Sequence, residues 1–296
     1  MASHEQRSGA EADPRPVWLI TGAGRGLGRA FATEALEQGA RVVGLIRTAG
    51  ALGDLATAHP GRLLEVIADV RDQGDVQAAV MEAAEAFGRL DVVVNNAGYG
   101  LVGAIEEVSE AEIRAQLETN LLGAIWTTQA ALPHLRANGG GDIVQISTVG
   151  AIGSMPTFGI YNASKWGLEG FSEALAAEVR PFGIGVTIAE LGGFATDWSG
   201  ASLQFATGEP QYDELRVALF GTAQVPWPVP DGESASADAP PAGAAAALWA
   251  HLARPREQRP LRVLIGDDAP TQAAAALEAR RDSYDDPRLA WPAARS

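Results

Sequence analysis

Tyr161 and Lys165, in the run Tyr-Asn-Ala-Ser-Lys, are the residues whose types and spacing could move a proton. Four apart, a tyrosine and a lysine share one face of a helix. Free tyrosine titrates near pH ~10 and is a poor acid–base catalyst at neutrality; a neighbouring ammonium favours its ionised form. Such a pair also arises by chance on solvated helices, so its meaning depends on the rest of the chain. Upstream stands Thr21-Gly-Ala-Gly-Arg-Gly-Leu-Gly28, between an apolar run and an amphipathic one. There Gly22 suits a tight turn, Gly26 a close backbone approach to a pyrophosphate, and Gly28 close helix packing. The helix that follows offers amides and a positive dipole end to phosphate. The bland alternative is a flexible turn.

The elements that must position these residues alternate along the chain. Val17 to Ile20 is a continuous apolar strand, as a parallel sheet covered on both faces requires. Leu27, Phe31 and Ala35 share a helical face that stops at Gly39. Strands are expected at Arg41 to Ile46, Leu63 to Ala68, Leu90 to Val94, Ile143 to Ile146 and Val186 to Ala189. Helices are expected around Val76 to Phe87, from Glu110 to Arg136 with Asn120 near the middle, and from Tyr161 to Val179 before Pro181. This order predicts an α/β fold of the Rossmann type, a doubly wound parallel sheet in a single domain. Residues 1–14 read as a disordered tail. Residues 198–246 read as a variable, mobile substrate flap with a Pro/Ser/Ala-rich connector. A helix at Ala244 to Leu252, a strand at Leu261 to Ile265 and an alanine-rich helix after Asp268 close the chain.

Composition sets bounds. A formal charge of −15 argues against a nucleic-acid partner, which needs a basic stripe. With no cysteine there is neither disulfide nor thiolate metal site, and the four histidines are scattered, so no metal is expected. No apolar run reaches membrane-spanning length, and a cytoplasmic protein is expected.

Thr-Gly-x-x-x-Gly-x-Gly, then Asn95-Asn-Ala-Gly98, then Tyr-x-x-x-Lys resembles the short-chain dehydrogenase/reductase family over 17–197. The resemblance implies an oxidoreductase that moves hydride between a nicotinamide dinucleotide and a carbonyl or alcohol. Tyr161 would be the proton donor or acceptor. Lys165 would hold the nicotinamide ribose and lower the tyrosine pKa. Asn120 matches the helix asparagine whose carbonyl helps hold a water; otherwise it marks a helix kink. Gly22, Arg25, Gly26, Leu27 and Gly28 would bind cofactor with Ala97 and Gly98. Asp69 and Val70 match the adenine-binding position, although Asp69 could instead cap a helix. Asn95 would border the adenosine ribose, and Thr196 the nicotinamide. The strand ending Gly44-Leu-Ile-Arg47 carries no acid to repel a 2′-phosphate, and Arg25 and Arg47 match basic positions of NADP-preferring relatives. NADP(H) is therefore expected over NAD(H), unless both arginines are merely solvated.

The chain departs from the family pattern twice. Ser147-Thr148 stands where Ser-Ser is usual, which points to Thr148 as the catalytic hydroxyl with Ser147 as the alternative. Leu191 stands where a proline is usual, so the turn after that strand is expected to be less rigid. Phe158, Ile160, Gly192, Phe194, Trp198 and the stretch to Trp227 are expected to line or cover a pocket for a hydrophobic carbonyl, or to pack the flap. The resemblance also implies a homodimer or homotetramer through the helices bearing Asn120 and Tyr161. A redox sensor without turnover is the second functional reading, and an epimerase or dehydratase the third.

Overall fold

The computed structural model describes residues 13–194, 203–226, 239–286 and 288. Seven parallel strands form one sheet in the order β3-β2-β1-β4-β6-β7-β9. They are β1 (Val17–Thr21), β2 (Arg41–Ile46), β3 (Leu63–Ile67), β4 (Val92–Asn95), β6 (Gly141–Thr148), β7 (Ile184–Leu191) and β9 (Arg262–Ile265). Alternate residues of β1 face opposite layers. Trp18 and Ile20 join the cluster under α1 (Gly26–Glu37) and α8 (Pro241–Leu252), where Trp18 stacks on Trp249 at 5.2 Å. Val17 and Leu19 join the cluster under α3 (Gln73–Phe87), α5 (Gly123–Ala137) and α6 (Gly159–Val179). Burial on both faces is why β1 and β2 read as unbroken apolar runs.

The long helix expected over 110–136 is interrupted. α4 (Glu110–Leu117) gives way to a π-helical turn, Glu118–Leu122, before α5 begins. Short helices α2 (Gly53–Ala58) and α7 (Asp213–Phe220) and the helix α9 (Ala269–Tyr284) complete the set.

Residues 203–226 of the expected flap carry secondary structure. β8 (Leu203–Phe205) pairs in parallel with β5 (Gly100–Val102), forming a second, two-stranded sheet beside the main one. Arg216 of α7 forms an ion pair with Glu107 at 2.5 Å, with side chains only 5% and 2% exposed. Glu107 also accepts from the Glu209 and Ala104 amides, at 2.7 Å each. Burial alone would raise that carboxyl, but these donors and the guanidinium outweigh it and lower its pKa. At the other terminus, Asp13 belongs to the body rather than to a loose tail, because the Arg41 guanidinium donates to its carbonyl at 3.2 Å. Residues 1–12 and 227–238 lie outside the described residues. Among the described residues no helix is long and apolar enough to cross a membrane.

Candidate active site

β1 has β2 on one side and β4 on the other, so the connections leaving their C-terminal ends diverge and a crevice opens between them. It is a cleft of about 920 Å³. At one end the turn after β1 places Gly22 and Gly26 at φ 67° and 53°, where glycine carries no steric penalty. A Cβ on Gly28 would lie 2.3 Å from the Gly22 carbonyl oxygen and 2.5 Å from the Asn96 amide, so only glycine seats α1 this close. No side chain caps α1, which leaves its N-terminal amides as donors for a phosphate. The Thr21 hydroxyl accepts from the Asn96 and Ala97 amides at 3.0 Å each, clamping the ends of β1 and β4 together.

The expectation for Asn95 is corrected. Its side chain is buried and donates to the Thr128 hydroxyl at 3.0 Å, away from the cleft. Successive residues of a strand face opposite ways. Asn96 therefore lines the cleft, and its amide donates to the Thr21 and Gly22 carbonyls at 3.0 and 3.3 Å. Nothing in the sequence sets Asn96 apart from Asn95 for this task.

Arg25, Arg47, Asp69 and Val70 all line the cleft beyond the glycine turn, as do Leu27, Ala97 and Gly98. Arg71, which sequence reasoning missed, joins them and grips Asp69 (Nη2 to Oδ2 2.6 Å, Nε to Oδ1 3.1 Å). That ion pair holds the Asp69 carboxyl below its usual range against the effect of burial, and Arg47 adds to it. Asp69 is not the helix cap; Asp72 is, accepting from the Asp75 amide at 2.9 Å.

At the other end, the last residue of β6 and the first turn of α6 bring Thr148 and Tyr161 together. Their hydroxyls share a hydrogen bond. The Thr148 hydroxyl also donates to the Leu191 carbonyl at 3.3 Å and accepts from the Gly150 amide at 3.2 Å. Ser147, next to it on β6, faces the opposite way, and its buried hydroxyl has no hydrogen-bond partner among the described residues. Thr148 is thus the hydroxyl beside the phenol. Phe158 meets the Tyr161 ring edge-on at 6.2 Å, and Val102 of β5 and Leu203 of β8 complete a buried wall behind it.

Burial pushes the Tyr161 phenol up to about 12, with the Thr148 bond opposing. Burial likewise brings the Lys165 ammonium down to about 8, with Glu169 opposing. Lys165 Nζ donates to the Ile146 carbonyl at 2.7 Å. In the protein by itself, then, desolvation outweighs any lowering of the phenol by its lysine. Asn120 sits behind the cleft in the π turn. Its amide donates to the Tyr99 carbonyl at 2.9 Å and to Ser164 at 3.2 Å, and its oxygen accepts from the Tyr99 amide at 3.1 Å. With the side chain so engaged, its place in a π turn frees backbone groups from the α-helical pattern. A Cβ on Gly98 would stand 3.2 Å from Asn120 Oδ1 and 3.7 Å from Lys165 Nζ.

Past Lys165 the same helix face carries Glu169, paired with Arg262 of β9 at 3.0 Å. Arg262 Nε also lies 2.9 Å from Glu190 Oε1, out of line for a hydrogen bond. Burial first, and Glu169 second, raise Glu190 to about 7 against the pull of Arg262.

The turn expected to be less rigid after Leu191 runs into residues outside the described ones. Leu191 ends β7 inside the ladder, paired with Thr148 on one side and Ile265 on the other. Asp268, another residue the sequence reading missed, accepts from the Gly193 amide at 3.1 Å. Phe158, Gly192 and Phe194 line the cleft, joined by Met155, Gln204 and Gln272. Ile160 does not; it packs against the cluster of Leu101, Val108 and Ala206. Thr196, Trp198 and Trp227 lie outside the described residues.

The profile of the short chain dehydrogenase family matches residues 16–205. An oxidoreductase of Botryotinia fuckeliana is 37% identical over 263 residues, covering 88% of this chain and 93% of its own. Human 17-beta-hydroxysteroid dehydrogenase type 1 is 35% identical over 206 residues, 67% of this chain and 61% of that one. The crystal structure of a short-chain dehydrogenase from Streptomyces avermitilis superposes with a TM-score of 0.81 at 37% identity, covering 92% of this chain and 96% of that one. With the glycine turn, the switch-point cleft and the Tyr–Lys helix in place, these likenesses settle the kinship: the chain belongs to the short-chain dehydrogenase family.

Proposed function

We propose that the protein is a nicotinamide-dependent oxidoreductase, NADP(H)-preferring, that interconverts a ketone and a secondary alcohol. The observation that carries this reading is the joined Thr148 and Tyr161 hydroxyls at one end of a cleft whose other end is a glycine cradle. The cradle fits a dinucleotide, since Cβ atoms on Gly22 and Gly28 would crowd Ala97 and the Gly22 carbonyl and force α1 away from the turn. Gly22, Gly26, Leu27 and Gly28 would hold the pyrophosphate, and Asp69 and Val70 the adenine. Lys165 would hold the nicotinamide ribose, with Thr196 near the nicotinamide. The cofactor supplies hydride chemistry, and the protein supplies position and field.

The roles of the side chains follow from their bonds. Thr148 donates to or accepts from a substrate oxygen while fixing the Tyr161 phenol, which gives a proton in reduction and takes one in oxidation. A phenol near 12 is a firmly protonated donor, suited to reduction. The Lys165 ammonium, one helical turn on from Tyr161, would offset a developing phenolate. Arg25 and Arg47 at the acid-free end of β2 support NADP(H), as charge-assisted donors to a 2′-phosphate. The human relative is by name a hydroxysteroid dehydrogenase, which supports an alcohol/ketone pair. We read the active form as a homodimer or homotetramer packed through α5 and α6, which light scattering measures directly.

The test is NADPH and NADH oxidation against a panel of apolar ketones, with cofactor titration by fluorescence alongside. Turnover with NADPH favoured is the expected result. Tight NADPH binding without turnover of any ketone would transfer the assignment to the sensor reading, against which the Thr148–Tyr161–Lys165 arrangement now speaks.

A further inference from the structure

We infer that the substrate is an apolar ketone or secondary alcohol that is uncharged or cationic, and that carbonyl compounds bearing a carboxylate or phosphate are turned away. This rests on the oxidoreductase reading above and narrows it. The charges lining the cleft are segregated. Arg25, Arg47 and Arg71 all follow β1, β2 and β3, at the end assigned to the dinucleotide. Lys165 is buried, held by the Ile146 carbonyl and influenced by Glu169.

Beyond the Thr148 and Tyr161 hydroxyls the lining changes character. Met155, Phe158, Phe194 and Ala276 give an apolar surface, and Gln204 and Gln272 an uncharged polar one. Met155, 44% exposed, extends the apolar surface outward. The carboxylate of Asp268 lines this part of the cleft, held by the Gly193 amide and by Gln272 Nε2 at 2.6 Å. Among the described residues no Lys or Arg lines this end. Across the described residues 203–226 the acids Glu209, Asp213 and Glu214 stand against a single cation, Arg216. That arginine is consumed by Glu107 and Asp213.

An anionic group entering such a site loses its water shell with no cation among the described residues beyond the buried Lys165 to replace it. It also meets a field of its own sign, which lowers its local concentration. An amine meets the opposite field, and a neutral apolar ketone meets none while covering the Met and Phe surface.

Three ketones on one frame test this: methyl 4-acetylbenzoate, 4-acetylbenzoate and 4-(aminomethyl)acetophenone, each reduced with NADPH at low salt. The ester should exceed the carboxylate in kcat/KM by about 30-fold or more. The amine should match or exceed the ester at low salt, and its lead over the carboxylate should shrink as salt is raised to about 0.5 M. Calorimetric binding to the NADPH-loaded protein should give the same order. Gln272→Lys, on an exposed helix position, should narrow the ester–carboxylate gap by about tenfold. A carboxylate bound and turned over as well as the ester would overturn the charge inference and leave the oxidoreductase reading intact. Binding in the expected order with no turnover of any ketone would contradict the oxidoreductase reading and sustain the charge inference.

Discussion

Thr148 differs from serine by one methyl, which restricts χ1, and its hydroxyl already has three partners: Leu191, Gly150 and Tyr161. That places its oxygen firmly, so Thr148→Ser should keep activity within about threefold, while Thr148→Val should lose about 10²-fold in kcat/KM. Ser147→Ala should change little, since its hydroxyl makes no hydrogen bond; steady-state kinetics of the three variants read this directly. The phenol makes a separate prediction. Burial disfavours the anion and raises Tyr161 to about 12, whereas a neighbouring positive nicotinamide favours the anion. The wild-type minus Tyr161→Phe phenolate absorbance should therefore titrate near pH 12 alone and distinctly lower with NADP⁺. Identical curves would remove the cofactor from the phenol's surroundings. Tyr161, Lys165 and the glycines were legible because their spacings occur together and in order along the chain. Asn95 was misplaced because its facing depends on strand phase, which two adjacent asparagines do not reveal. The direction of the Tyr161 shift was illegible because burial is a property of the folded chain.

At the scale of elements, the seven main strands were legible as apolar runs, though β6 and β7 extend further than the apolar residues suggested. The π turn at Glu118–Leu122 was hidden, because the apolar pattern of 110–136 continues through it. β5 and β8 have three residues each and lie a hundred positions apart, too short and too distant for period-two alternation to show. That is why 203–226 looked like a loose flap. The Glu107–Arg216 pair now predicts its behaviour. Arg216→Met leaves a buried carboxylate without its cation and should destabilise the protein by about 3 to 5 kcal/mol. Pairing it with Glu107→Leu should restore part of that loss. Denaturant melts of the two variants decide: an unaffected single variant would mean the pair does not fasten α7.

For the molecule as a whole, a net charge of −15 surrounds a cleft whose lining arginines are gathered at one end. The chain builds local positive charge where a phosphate is expected and leaves the opposite end, among the described residues, with the buried Lys165 alone. Arg47→Ala should raise the KM for NADPH about tenfold while leaving that for NADH nearly unchanged. Equal losses with both cofactors would place Arg47 away from a 2′-phosphate. Arg25 and Arg47 could be named from sequence because they follow a recognisable turn and strand. Arg71 and Asp268 could not, because they follow β3 and β9, the two edge strands, and only the folded sheet shows that one cleft reaches both.

The central claim is that Tyr161 handles the proton in a reaction driven from the glycine cradle. Its most direct test is Tyr161→Phe, followed by NADPH-dependent reduction of an apolar ketone and by NADPH binding on the same preparation. Retained NADPH affinity with a fall in kcat of about 10²- to 10⁴-fold is the predicted result. A variant that reduces the ketone at the wild-type rate would contradict it.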